Sequence, residues 1–112
     1  MNIKSIIKEA QKVSSEFQLS FSLCDRTDNI VNIRLYIDVN TFIQVYANQL
    51  KEKVNLNLIL RGERLYGTDT EGGRYHIHPL ENPENHLFTE ERKTIRDFVI
   101  EALKFLNKQG LL

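Results

Sequence analysis

A single α+β domain with an antiparallel sheet is predicted from three features: an apolar stripe of helical period at each end, several period-two segments between, and turn-forming residues at the junctions. Ile3, Ile6, Ile7, Ala10 and Val13 recur at helical spacing with Lys4, Lys8, Glu9 and Lys12 off the stripe, which predicts an amphipathic helix ending near Ser14 and Ser15. From Phe17 the period becomes two: Phe17, Leu19, Phe21 and Leu23 alternate with Gln18, Ser20 and Ser22. The turn Asp25–Asn29 separates this strand from Val31, Ile33, Leu35, Ile37 and Val39, which alternate with Asn32, Arg34, Tyr36 and Asp38. After Asn40, Ile43, Val45 and Ala47 alternate with Phe42, Gln44, Tyr46 and Asn48. Val54, Leu56, Leu58 and Leu60 then alternate with Asn55, Asn57 and Ile59 up to a turn at Gly62. Two short strands, Arg64 to Thr68 and Arg74 to His78, flank the turn Thr70–Gly73.

The last element is a helix with Thr89 as N-cap, Glu90 and Glu91 in the first turn, and Ile95, Phe98, Val99, Ala102 and Leu106 as its apolar stripe; Gly110 stops it. The predicted order is helix, meander of five or six strands, helix, spanning residues 1–112 as one domain. Both helices are expected on the apolar face of one curved sheet, leaving the other face open. Pro79 to Phe88 reads as a rigid connection that could close over that face.

Composition narrows the function classes. Fifteen Lys and Arg balance fifteen Asp and Glu, so no global basic field draws the chain to phosphate, and a nucleic-acid partner has to be held by a local patch. No apolar run reaches the roughly 18 residues of a membrane span, and no secretory signal core interrupts the charged N-terminal segment. With a single cysteine, Cys24, and no intramolecular disulfide, a cytoplasmic protein without membrane contact is expected; Cys24 itself reads as a semi-buried structural thiol.

Period two also says what the open face carries. Asn32, Arg34, Tyr36 and Asp38 share one side of their strand, as do Gln44, Tyr46 and Asn48. Arg64, Tyr66 and Thr68 share a side of the fifth strand, and Arg74, His76 and His78 a side of the sixth; a one-residue bulge near Gly67 would turn a strand over. Three uses of such a face are open. His76 and His78 could offer two imidazoles to Zn²⁺ or Fe²⁺ with His86 or Glu81 as a third ligand, although no third ligand is fixed by spacing. Metal-independent RNA cleavage, needing no cofactor, would use His76 and His78 as general base and acid with Arg74 as phosphate anchor. Arg34 and Arg64 would assist, while Tyr36, Tyr46 and Tyr66 stack on bases. A noncatalytic face would use the same tyrosines and arginines as anchors for a protein partner or a second copy of the chain in a homodimer.

The segments Ile30–Gln49 and Leu58–Pro79 resemble the small TumE-type toxins of prokaryotic toxin–antitoxin systems, over about residues 30–79. The matching positions are Arg34, Leu35 and Tyr36, then Tyr66 and Asp69, then His76, His78 and Pro79. Where that family carries an asparagine–alanine–proline step and a histidine pair after its aspartate, this chain has Thr70, Glu71, Gly72 and Gly73. The resemblance implies a growth-inhibiting protein neutralised by a cognate antitoxin and acting on RNA.

Overall fold

The computed structural model describes residues 2–71, 74–78, 87–89 and 93–112, the side chains of 71, 74–78 and 87–89 excepted. The first helix, α1 (Ile3–Glu16), starts at Asn2, whose side-chain oxygen accepts from the Ser5 backbone N–H and satisfies one of the free donors of the first turn. Its stripe Ile3, Ile6, Ala10 and Val13 is buried. Gln18 takes a left-handed conformation at φ 56°, and Leu19 N–H donates to Ser14 O at 2.8 Å, so the chain reverses before extending. The first strand therefore starts at Ser20 and not at Phe17. Phe17 and Leu19 still pack against the core, which is why their spacing reads as strand.

Among the described residues seven strands follow as an antiparallel meander in sequence order: β1 (Ser20–Arg26), β2 (Ile30–Asp38), β3 (Thr41–Asn48), β4 (Lys53–Leu60), β5 (Glu63–Glu71), β6 (Arg74–His78) and β7 (Leu87–Thr89). Side-chain oxygens close three of the hairpins. Thr27 Oγ1 accepts from Asn29 and Ile30 N–H, Asp38 Oδ1 from Asn40 N–H, and Asn48 Oδ1 from Leu50 and Lys51 N–H. The register shifts at Cys24 in β1, at Ile37 in β2 and at Leu65 in β5, each the extra residue of a bulge. Cys24, expected to be semi-buried, is exposed because this bulge lies on the edge strand.

The second helix, α2 (Ile95–Lys108), is capped by Thr94, whose hydroxyl oxygen accepts from Asp97 N–H at 3.1 Å. Thr89, expected in that role, is the last residue of β7. The glycines Gly72 and Gly73, the connection from Pro79 to His86, and Glu90 and Glu91 lie outside the described residues. α1 packs across β1, β2 and β3 and against α2, which also touches β4. Ile33, Leu35, Ile43, Val45, Leu56 and Leu58 from the sheet and Phe98, Val99 and Leu106 from α2 form one fully enclosed core with the α1 stripe. Both helices thus occupy one side of the sheet, as expected. Among the described residues no helix is long and apolar enough to cross a membrane.

Candidate functional site on the open sheet face

Alternation leaves every second residue of the central strands on the side away from the helices, and the strand register arranges these residues in rows. The first row is Ser20, Tyr36, Phe42, Ile59 and Arg64; the second is Ser22, Arg34, Gln44, Asn57 and Gly67. The third is Asn32, Tyr46, Asn55 and Asp69. Residues directly opposite across an antiparallel pair have Cβ atoms about 5 Å apart, so each row is a ladder of touching side chains.

The bulge at Leu65 decides the composition of the β5 end. Leu58 faces Tyr66 and Ile59 faces Arg64, so Arg64 stands with the open face while Tyr66 turns to the helices. Tyr66 stacks on Phe98 with centroids 5.3 Å apart and donates its hydroxyl to Glu101 Oε2 at 3.0 Å. The expectation that Tyr66 belongs to the open face is corrected: an extra residue before it reverses its side. Burial and then the Glu101 carboxylate raise its pKa above the ordinary tyrosine value, and Lys93 binds the other Glu101 oxygen. These contacts fasten α2 to β5.

Beyond the bulge, Gly67 and Asp69 take the open-face positions. Asp69 entered the sequence reading only through the family resemblance, because period two without the bulge assigns it to the opposite side. β6 continues the register: His78 is opposite Gly67, His76 opposite Asp69 and Arg74 opposite Glu71. The backbone thus sets His78 on the row of Arg34 and His76 on the row of Tyr46, with Arg74 one step further along β6, opposite Glu71. Their side chains, and the third-ligand candidates His86 and Glu81 of the metal alternative, lie outside what is described.

Arg34 is held rather than free to sweep solvent. Its Nη1 donates to Tyr36 Oη at 3.2 Å and its guanidinium lies 4.5 Å from the centroid of the Phe42 ring. The hydrogen bond with Tyr36 raises its pKa, so its charge is fixed at any physiological pH. Tyr36 and Phe42 pack tilted at 5.3 Å. A cation, a phenol and a phenyl ring are pre-organised side by side.

The amide residues between them are under-satisfied. Asn57 is only 7% exposed, and its Nδ2 donates to Gln44 Oε1 at 3.4 Å, yet its Oδ1 has no hydrogen-bond partner. Asn32 Oδ1, Asn55 Oδ1 and Arg34 Nε are likewise buried without partners among the described residues. An unpaired buried polar atom costs on the order of 1–3 kcal/mol, so such a group of them is expected where something else is to be bound. Gly67 is part of this arrangement: a Cβ there would meet Asn57 Oδ1 at 2.3 Å and Leu56 O at 3.1 Å. The absence of a side chain at residue 67 gives the Asn57 amide its place. Asn55 and Asn57 were visible off the core stripe of β4, but nothing in their spacing tied them to a site.

Of the residues predicted for the site, the structure brings Arg34, Tyr36, Tyr46 and Arg64 to one face, sets Arg74, His76 and His78 in register with it, and removes Tyr66. Comparisons of the chain with models of known families, with curated proteins and with solved structures found no match.

Proposed function

We propose that this chain is the toxin-like component of a toxin–antitoxin pair and a metal-independent ribonuclease, acting in the cytoplasm through the open face of its sheet. One observation carries the catalytic part: the β5–β6 register sets His76 opposite Asp69 on the polar rows. A carboxylate beside an imidazole fixes its tautomer and stabilises its protonated form, the arrangement a general acid–base histidine needs. His76 and His78 are the acid and base that move the proton off the ribose 2′-hydroxyl and onto the leaving oxygen. Arg74, on the same strand as the histidines, is the anchor for the phosphate that reacts, and Arg34, four strands away on β2, is a fixed cation for a neighbouring phosphate of the same RNA. Tyr36 and Tyr46 offer stacking surfaces, and Arg64 extends the cationic side of the face. The resemblance of residues 30–79 to TumE-type toxins supplies the biological setting and the cognate antitoxin as partner.

Growth of a bacterial host expressing the chain tests the reading. Wild type arrests growth and the His76→Ala/His78→Ala variant does not; unimpaired growth with wild type at confirmed expression removes the toxin reading.

The Arg34–Tyr36–Phe42 cluster favours a second reading, a noncatalytic interaction domain. An arginine and aromatic rings held together before any partner arrives are typical anchors of protein interfaces. Under that reading a protein partner or a second copy covers the face, and Arg34→Ala abolishes binding while the histidine variants leave it intact.

A further inference from the structure

β1 is an outer strand of the sheet, and among the described residues no strand pairs with its far side. Its backbone therefore presents N–H and C=O groups to which a further strand can bond. Edges of this kind are ordinarily blunted by charges, prolines or bulges. From Ser20 to Leu23 none of these is present; the bulge at Cys24 and the charges of Asp25 and Arg26 come only afterwards. Leu23 is 44% exposed and Phe21 is only half-buried, although both stand on the helix side of the sheet, opposite Ile33 and Leu35. The apolar side of this edge is thus left partly uncovered.

A symmetry within the strand sets what fits it. Ser20 and Ser22 stand on the open side, opposite Tyr36 and Arg34, and Cys24 Sγ lies 3.8 Å from Ser22 Oγ on that same side. Residues 20–24 therefore read small, apolar, small, apolar, small in either direction from Ser22. A two-fold axis through Ser22 pairs two antiparallel copies with Ser22 opposite Ser22, Phe21 opposite Leu23 and Ser20 opposite Cys24. Every rung then joins like with like on the correct side of the sheet. Asp25 and Arg26 fall opposite the uncharged Leu19 and Gln18, so no like charges meet. We infer that a second copy of this chain docks on the β1 edge, antiparallel about Ser22, so that two sheets become one. The axis stands perpendicular to the sheet, which keeps the helices of both copies on one side and both open faces on the other. Because Ser22 is opposite Arg34, one row runs Gln44, Arg34, Ser22 and across the axis into the same residues of the second copy. The two Arg34 positions are three strand spacings apart, about 14 Å, beyond the ~8 Å over which exposed charges repel at physiological ionic strength. The open face stays uncovered, so the edge contact holds whatever that face binds.

Sedimentation equilibrium of the full chain under reducing conditions tests the docking. Wild type is expected to associate to twice its 13.1 kDa. Ser22→Asp sets two carboxylates against each other at the axis while standing opposite Arg34 within its own sheet; it is expected to keep the fold by circular dichroism and to abolish the dimer. Leu23→Lys, at a position already partly in solvent, is expected to do the same, and Arg34→Ala to leave the dimer standing. A short thiol cross-linker in a Cys24→Ser background locates the axis. Ser22→Cys is expected to link to itself faster than Leu23→Cys, because only residues directly opposite have Cβ atoms about 5 Å apart. Wild type that stays monomeric at every concentration, or a dimer that survives in the folded β1 variants, overturns the inference. A dimer lost in Arg34→Ala but kept in Leu23→Lys places the contact on the open face and overturns it as well, and faster linking of Leu23→Cys overturns the axis through Ser22.

Discussion

Gly67 shows how one residue sets the chemistry of its neighbours. A methyl group there would lie 2.3 Å from Asn57 Oδ1 and 3.1 Å from a backbone carbonyl, and Asn57 is too enclosed to swing aside cheaply. Gly67→Ala is expected to lower stability by about 1–3 kcal/mol in urea denaturation, as overpacking does, and Asn57→Ala made in the same chain to recover part of that loss. Full additivity of the two substitutions would show that they do not share the space. At this scale the sequence was legible where alternation was unbroken. Arg34, Tyr36 and Tyr46 fall where period two puts them. Tyr66 and Asp69 do not, because the extra residue Leu65 exchanges the sides of everything after it and a bulge leaves no mark on composition. Cys24 was misjudged for the same reason, at the bulge of the edge strand.

Among the elements, α2 depends on two identifiable contacts. Thr94 caps its first turn, and Thr94→Ala is expected to cost about 1 kcal/mol by thermal or chemical denaturation. Thr89 looked the better cap in sequence because Glu90 and Glu91 follow it, yet a three-residue strand claims it. β7 is too short for any periodicity to show, and prolines precede it. The second contact is the Tyr66–Glu101–Lys93 group. Tyr66 has a folded pKa raised first by burial and then by Glu101. For Lys93 burial works against the charge, but the hydrogen bond with Glu101 and the neighbouring Tyr66 leave its pKa raised as well. Both shifts have one sign: their stabilisation is fully present below the unfolded-state values of about 10 and is lost as pH rises through the folded ones. The protein is therefore expected to lose stability above about pH 10, and Tyr66→Phe, which cannot ionise, to flatten that loss while costing about 1 kcal/mol at neutral pH for the missing hydrogen bond. An unchanged alkaline profile in Tyr66→Phe would remove Tyr66 from the latch. The Arg96–Glu16 pair that joins the two helices, with Glu16 held below its usual pKa by the Arg96 hydrogen bond, lies in solvent and is expected to contribute nothing measurable.

For the whole molecule, the layout of helix, meander and helix follows from patterning alone: long stretches of period two cannot sit as helix, and apolar stripes at the two ends need one sheet face to cover them. What patterning leaves undetermined is how the seven strands align, and alignment is what assembles a site from residues as far apart in sequence as Asn32 and Asp69. The face so assembled is crowded and polar, holds amide oxygens of Asn32, Asn55 and Asn57 that are unpaired among the described residues, and carries a cation fixed over a ring and a histidine register opposite an aspartate. A neutral chain with such a face is expected to capture RNA weakly at first and in a salt-dependent way, since only a few phosphates are neutralised. The most direct measurement is cleavage of single-stranded RNA by purified protein in the presence of a chelator. Wild type is expected to cleave, the His76→Ala/His78→Ala variant to be slower by about 10²-fold or more, and the chelator to change neither rate. RNA left intact by folded wild-type protein, or cut equally well by the double variant, would contradict the account.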